Sequence, residues 1–201
     1  MMSYIYNSIL RDLDDYDNVA FDLDGTLYKQ EEYDFLLYKS YFEKYYTPQI
    51  AQSLSLKLSS YKRKKGYGYK KLYDDFIEEN PDVILDVKEL VLFGRKVHKF
   101  DLKGKCELTD VLIKLKKLGK RLSLITNGWH QTQINKIRAL GIKHYFDDIV
   151  ILSPFSKFPM KPNPSVIASL NFKGKTVYLG DQDIDEEFAK NSKIDFRKIV
   201  L

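Results

Sequence analysis

The scarcities of this chain narrow the field before any motif does. Among 201 residues there is one cysteine, Cys106. A single thiol forms no intrachain disulfide and offers no cysteine pair for a zinc site, so Cys106 is read as a buried, inert group rather than a nucleophile. No apolar run approaches the roughly 20 residues that cross a bilayer. The stretch from Met1 to Asp17 holds Arg11 and several aspartates but no apolar signal core. Together these absences predict a soluble, cytoplasmic protein with no membrane partner. Internal repeats and low-complexity linkers are missing too. Of the three histidines, His98 and His144 carry no motif and are read as structural. His130 is read as a half-exposed residue at a helix start.

Charge is present with a basic surplus: 33 Lys and Arg against 28 Asp and Glu, a net charge of +5. Such a surplus suits nucleic acid or small anionic substrates. The densest basic run is Lys62-Arg63-Lys64-Lys65, beside Tyr61, Tyr67, Tyr69 and Tyr73. Basic residues interleaved with aromatics can build a nucleic-acid surface. A solvated helix end and loop is the preferred reading, and a nucleic-acid partner is not expected.

Five short apolar runs organise the chain: Val19-Ala20-Phe21, Arg121 to Ile125, Ile149 to Leu152, Thr176 to Leu179, and Lys198 to Leu201. Most are followed at once by polar or glycine residues, the pattern of buried parallel strands ending in loops. Between them, Leu108, Val111, Leu112, Leu115 and Leu118 recur at helical spacing, as do Ile134, Ile137 and Leu140. Residues 183–192 carry acids in a first helical turn, and residues 3–15 predict a helix before the first strand. Alternating strand and helix implies an α/β fold, a Rossmann-like open parallel sheet flanked by helices. Residues 29–103 break this rhythm and read as helices near 30–46, 48–63, 69–79 and 84–98. An insertion that long is no simple crossover. The expected organisation is a catalytic core of residues 1–28 and 104–201 with a helical cap subdomain at 29–103.

In open α/β sheets, ligands gather at the carboxyl ends of the strands. Three of the expected strands end in Asp22, Thr126 and Asp181, and Lys161 follows a fourth. Carboxylates gathered with a hydroxyl and a lysine suit a metal and a phosphate. Magnesium wants hard oxygen ligands; Asp22 and Asp181 can supply them, with Asp185, or else Asp183, as the further carboxylate. Lys161 and Thr126 can hold phosphoryl oxygens, and backbone N–H groups near Leu23 and Asn127 can add an anion nest. Asp22 can attack phosphorus, giving an aspartyl-phosphate. Asp24, two residues on and on the same strand face, can protonate the leaving oxygen and later deprotonate water. Gly25 permits the turn that follows, and Thr26 can brace it. Tyr28 and Tyr33 have two open roles, shielding the site or packing under the cap.

These segments resemble the four motifs of the haloacid dehalogenase-like superfamily. Phe21-Asp22-Leu23-Asp24-Gly25-Thr26-Leu27-Tyr28 is similar to the first, DxDGT; Leu124-Ile125-Thr126-Asn127-Gly128 to the second; Lys161-Pro162-Asn163-Pro164 to the third; and Gly180-Asp181-Gln182-Asp183-Ile184-Asp185 to the fourth, GDxxxD. The resemblance implies Asp22 as nucleophile and Asp24 as acid/base, with phosphate at Thr126, Asn127 and Lys161. It implies Mg²⁺ at Asp22, Asp24, Asp181 and Asp185. The place of the insertion implies a C1-type helical cap and a small phosphorylated metabolite as substrate. An aspartate at position 24, where the dehalogenases carry a different residue, favours phosphoryl chemistry. A phosphatase is the leading expectation and a phosphomutase of the same fold the alternative. A catalytically silent binding module or a nucleic-acid-associated protein comes third. Oligomeric state and substrate identity are not encoded in these motifs.

Overall fold

A computed structural model describes residues 9–66, 69–96, 98–199 and 201. The chain divides into two compact units. Gln30–Phe100 forms one; the segments up to Lys29 and from Asp101 form the other.

The second of these units is built on five parallel strands: β1 Asn18–Phe21, β2 Arg121–Asn127, β3 Asp148–Leu152, β4 Thr176–Gly180 and β5 Asp195–Lys198. Their order in the sheet is β3-β2-β1-β4-β5. The chain lays β2 and β3 on one side of β1, then crosses to lay β4 and β5 on the other. The reversal opens a crevice at the carboxyl end of β1, where such sheets hold their ligands. Register is continuous across it, with Phe21 opposite Leu124 on β2 and Leu179 on β4. Every residue of β1 and β4 is buried, as expected of strands covered on both faces.

Within the flanking layers, Ala20, Ile125, Leu152, Val166, Leu170, Tyr178, Phe188 and Ala189 form one buried cluster. Phe188 and Ala189 come from the helix Asp183–Asn191, and Val111, Leu112 and Leu115 are buried on the helix Thr109–Lys117. A third helix, His130–Leu140, starts directly after the loop that ends β2 and closes at Gly141, whose N–H donates to the Ile137 carbonyl at 3.1 Å.

Among the described residues the other unit has four helices: α1 Gln30–Phe42, α2 Pro48–Lys65, α3 Leu72–Glu78 and α4 Val87–Gly94. Three helices that follow in the sheet unit are accordingly α5 (Thr109–Lys117), α6 (His130–Leu140) and α7 (Asp183–Asn191). The core of α1–α4 is Tyr38, Tyr41, Phe42, Ala51, Leu58, Phe76, Leu85 and Leu90. α1 stops short of the expected residue 46 because Pro48 opens the next helix and holds Thr47 extended (ψ 156°). Asp86 caps α4, its side chain accepting from the Glu89 N–H at 2.9 Å. Basic side chains of the α2 end are engaged within the unit. Lys62 meets Asp34 at 2.7 Å, and Lys65 lies over the Tyr61 and Tyr69 rings at 5.2 and 5.6 Å.

Two expectations shift. The last strand is Asp195–Lys198 rather than Lys198–Leu201. It lies at the sheet edge and is largely exposed, so it needs little apolar character, and the Ile199 N–H bonds the Gly180 carbonyl just past its end. The helix expected at residues 3–15 falls partly outside the described residues; residues 9–12 are helical.

Candidate active site

Asp22 continues β1 by one residue. Its N–H donates to the Leu179 carbonyl at 2.8 Å, and the residue is 6% exposed. Lys161 reaches it from the loop after β3. The Lys161 Nζ donates to Asp22 Oδ1 at 2.7 Å, Asp185 Oδ1 at 2.6 Å and the Tyr178 hydroxyl at 2.8 Å. An ammonium has three hydrogens, and these three acceptors match them. Tyr178 in turn donates to the Ile125 carbonyl at 2.8 Å, which ties the lysine to β2 through β4.

Asn127, at the end of β2, secures the same loop. Its Oδ1 accepts from the Lys161 N–H at 2.9 Å, and its Nδ2 donates to the Lys161 carbonyl at 3.2 Å. The sequence puts Asn127 among the phosphate ligands; in the structure its side chain bonds the backbone of the lysine loop.

Asp181 follows β4 and accepts from Thr26 Oγ1 at 3.4 Å. Oxygens of Asp22, Asp181 and Asp185 lie within 4.8 Å of one another. The Asp181 carboxylate occupies the space a side chain at residue 25 would take. A Cβ on Gly25 would sit 2.3 Å from Asp181 Oδ2. Three carboxylates this close together form a hard oxygen donor set that fits Mg²⁺. Asp185 does double duty. Its Oδ1 holds Lys161, while its Oδ2 accepts from the Gln182 N–H at 3.1 Å and caps α7. The other candidate, Asp183, points away, its side chain 99% exposed and 3.5 Å from Lys198.

Asp24 stands outside this carboxylate group, although the sequence set named it among the metal residues. Both of its oxygens are engaged elsewhere. Lys136 Nζ donates to them at 2.8 and 2.7 Å, the Tyr28 hydroxyl at 2.6 Å and Gln133 Nε2 at 3.0 Å. Thr126, almost fully buried, accepts from the same Gln133 Nε2 at 2.8 Å. Tyr28 therefore belongs to the site, whereas Tyr33 packs edge-on to Phe100 at 5.5 Å within the helical unit.

The electrostatics separate the two first-motif aspartates. Burial pushes Asp22 up to about 7, against the pull of Lys161 and with the help of the Asp185 and Asp24 charges. At Asp24 burial also pushes upward, but the Lys136 charge and the bonds from Lys136, Tyr28 and Gln133 outweigh it and hold the carboxyl below its ordinary range. Burial and the neighbouring Asp185 raise Asp181 to about 6. Lys161 is held well above its usual value, because Asp22, Tyr178 and Asp185 overcome the burial that would favour its neutral form. Cys106 is buried, which raises its thiol and leaves it unreactive.

Three participants escaped sequence reasoning: Gln133, Lys136 and Tyr178. The sequence reading of α6 rested on the helical stripe of Ile134, Ile137 and Leu140 and assigned no role to the polar residues beside it. The one usable signal was their position, a glutamine and a lysine one turn apart just after a phosphate-type loop.

A family model described as haloacid dehalogenase-like hydrolase matches residues 19–199. The chain is 27% identical over 187 residues to glyceraldehyde 3-phosphate phosphatase of Methanocaldococcus jannaschii, covering 86% of this chain and 79% of that protein. Among solved structures it is similar to a Bacillus subtilis protein assigned as a HAD-hydrolase and bound to magnesium (TM-score 0.59, 16% identity, 90% of this chain and 85% of that one). It is also similar to L-2-haloacid dehalogenase from Xanthobacter autotrophicus (TM-score 0.58, 13% identity, 92% and 77%). At these identities the two structures speak for the fold. The family match spans nearly the whole sheet unit together with the inserted helices, and by it the chain belongs to the haloacid dehalogenase-like hydrolases.

Proposed function

We propose that the chain is a magnesium-dependent phosphatase that hydrolyses a small phosphate monoester through an aspartyl-phosphate on Asp22. One observation carries this reading. Asp22 and Asp185 share the buried Lys161 ammonium at 2.7 and 2.6 Å, with Asp181 close enough to complete a three-carboxylate group. A cluster of like charges so deeply buried is a poor way to stabilise a fold and a good way to handle a cation and an oxyanion. Magnesium held by Asp22, Asp181 and Asp185 would supply positive charge against the carboxylates and the phosphoryl oxygens.

The chain's own groups divide the remaining work. Lys161 exchanges a carboxylate partner for a phosphoryl oxygen, and Thr126 and the N–H groups near Leu23 and Asn127 bind the others. An Asp22 oxygen attacks phosphorus; Asp24, charged in the resting site, first takes up a proton from water or the substrate monoanion and gives it to the leaving oxygen as the phosphorus–oxygen bond breaks. In the second half, water attacks the aspartyl-phosphate, its proton passes to Asp24, and phosphate leaves with Asp22 restored. The helical unit is read as the insertion that selects substrate.

The identity to an archaeal glyceraldehyde 3-phosphate phosphatase makes a triose phosphate the first substrate to test. Purified protein is assayed for released phosphate against a panel of phosphorylated metabolites, with Mg²⁺ and with a chelator. Release that needs Mg²⁺ is the expected result. Activity that survives chelation rejects the metal, and conversion of a sugar phosphate without free phosphate indicates a phosphomutase.

A further inference from the structure

We infer that Lys136 and Gln133 are positioning residues for the proton-transfer step, fixing the Asp24 carboxylate from one turn of α6 and coupling its placement to Thr126. The inference rests on the phosphatase reading and adds to it two residues outside the four motifs.

Residues three apart on a helix share a face. On α6 this puts Gln133 and Lys136 side by side, 1% and 6% exposed. A surface lysine keeps its head in water; this one is withdrawn, and its ammonium spans both oxygens of Asp24 at 2.8 and 2.7 Å. That grip fixes the carboxylate plane, which a single hydrogen bond would leave free to turn. Gln133 adds the link. Its Nε2 has two hydrogens and three acceptors within reach: Asp24 Oδ2 at 3.0 Å, Thr126 Oγ1 at 2.8 Å and the Asn127 carbonyl at 3.1 Å. The proposed proton carrier and a proposed phosphate ligand are therefore placed by one amide. The nearby backbone leaves room for that amide and no more. Gly128 follows the strand, and a Cβ there would lie 3.0–3.2 Å from the Gln133 side chain.

A plain structural role explains this arrangement poorly. Exchanging a buried ion pair for apolar residues of similar size is often neutral or stabilising, so stability alone gives no reason for a lysine here. Proton transfer does, because an acid misplaced by an ångström loses much of its rate.

The test uses two esters that differ in how much they need an acid. The p-nitrophenolate of p-nitrophenyl phosphate leaves readily without a proton, whereas the alkoxide of glyceraldehyde 3-phosphate does not. K136M and Q133A are compared with the parent in kcat/KM, which reports the steps through loss of the leaving group. Expected for K136M is a loss of about 100-fold on the alkyl ester, the scale of general-acid assistance, carried by kcat with KM little changed. The loss on the aryl ester is expected to be smaller by about tenfold or more. D24N shows the same selectivity, and K136R, which keeps two parallel N–H donors, restores most of the alkyl activity. Equal losses on both esters, or none on either, overturn the inference.

A second measurement is independent of turnover. D24N, K136M and the double variant form a cycle in the unfolding equilibrium. Coupled effects support the grip, and additive effects overturn it. If the parent hydrolyses neither ester, the phosphatase reading fails on its own while the cycle still decides whether residues 24 and 136 act together.

Discussion

Asp22 works against the fold it sits in, and that conflict has a measurable sign. Burial raises its carboxyl from 3.8 to about 7, so the native protein keeps a proton that the unfolded chain has already released. Without metal, stability on this account falls as pH climbs from the lower value to the higher and the loss is complete above it. Asp22→Asn removes the penalty. Its melting temperature in chelator is expected to exceed the parent's by roughly 3 °C at about pH 8, the shift produced by about 1 kcal/mol in a chain of this length. The gap narrows towards about pH 5, and turnover is abolished. A gap that widens at acid pH would reverse the assignment. Metal binding obeys the same chemistry, since ligands must shed their protons. With Asp22 near 7 and Asp181 near 6, Mg²⁺ affinity falls as pH drops through this window, and binding inside it releases protons. Calorimetry in two buffers of different ionisation enthalpy measures that release, and a buffer-independent heat would refute it. At this scale the motif residues were legible because chemistry restricts their type: a nucleophile, a lysine and metal carboxylates have few substitutes. Lys136 and Tyr178 were not. A lysine on a helix and a tyrosine in an apolar strand have many ordinary explanations, and only packing distinguishes the case where the polar end is buried against a site residue, Asp24 for Lys136 and Lys161 for Tyr178.

Between β1 and α1, the site depends on a turn as much as on side chains. Gly25 has φ +78°, and the place of its missing Cβ is taken by Asp181, 2.3 Å away. Gly25→Ala should therefore strain the backbone, at about 1–3 kcal/mol, and also displace a proposed metal ligand, lowering Mg²⁺ affinity by about 10- to 100-fold. Gly119→Ala is the control. It has a similar φ, +74°, but no atom within 4 Å of the added Cβ, so it strains the chain without touching Mg²⁺ binding. Equal affinities in the two variants, by calorimetry, would show that Asp181 is not held by this contact. The same elements show what sequence could reveal about the fold. β1, β2 and β4 were visible because strands buried on both faces read as largely apolar runs, and β3, at an edge and only half-buried, because Ile149 to Leu152 is apolar all the same. β5 was misplaced because Asp195-Phe196-Arg197-Lys198 lies at an edge where solvent tolerates charge, while the apolar Ile199 to Leu201 just beyond drew the assignment. Helix ends moved by a few residues wherever a cap such as Asp86 or a proline such as Pro48 set the boundary. After Lys161 the chain makes a single 3₁₀ turn, Ile167–Ser169.

Among the described residues each unit has a buried cluster of its own. The helical unit is organised by aromatic packing around Tyr38, Tyr41, Phe42 and Phe76, and the sheet unit by the cluster of Ala20, Ile125, Tyr178 and Phe188. Aromatic edge contacts recur in the first, as between Tyr61 and Phe76 at 5.5 Å. The break in strand-and-helix rhythm near residue 29 was readable because helical periodicity is local; a second core was not, because it depends on which helix faces meet. Units with separate cores can open separately, and a cavity placed in one is a direct test. Phe76 is fully buried, and Phe76→Ala should destabilise its surroundings by about 3–5 kcal/mol. Hydrogen exchange followed by mass spectrometry should then show protection lost across residues 30–100 while β1, β2 and β4 keep theirs. The ion pair of Lys62 and Asp34, 13% and 8% exposed in their side chains, gives the parallel case. Lys62→Met leaves a buried carboxylate alone and should be similarly damaging, whereas replacing both partners with apolar residues should recover much of the loss. Uniform loss of protection across both units in Phe76→Ala would mean that the two cores fold as one cooperative body, and the separation drawn from their packing would have no energetic meaning.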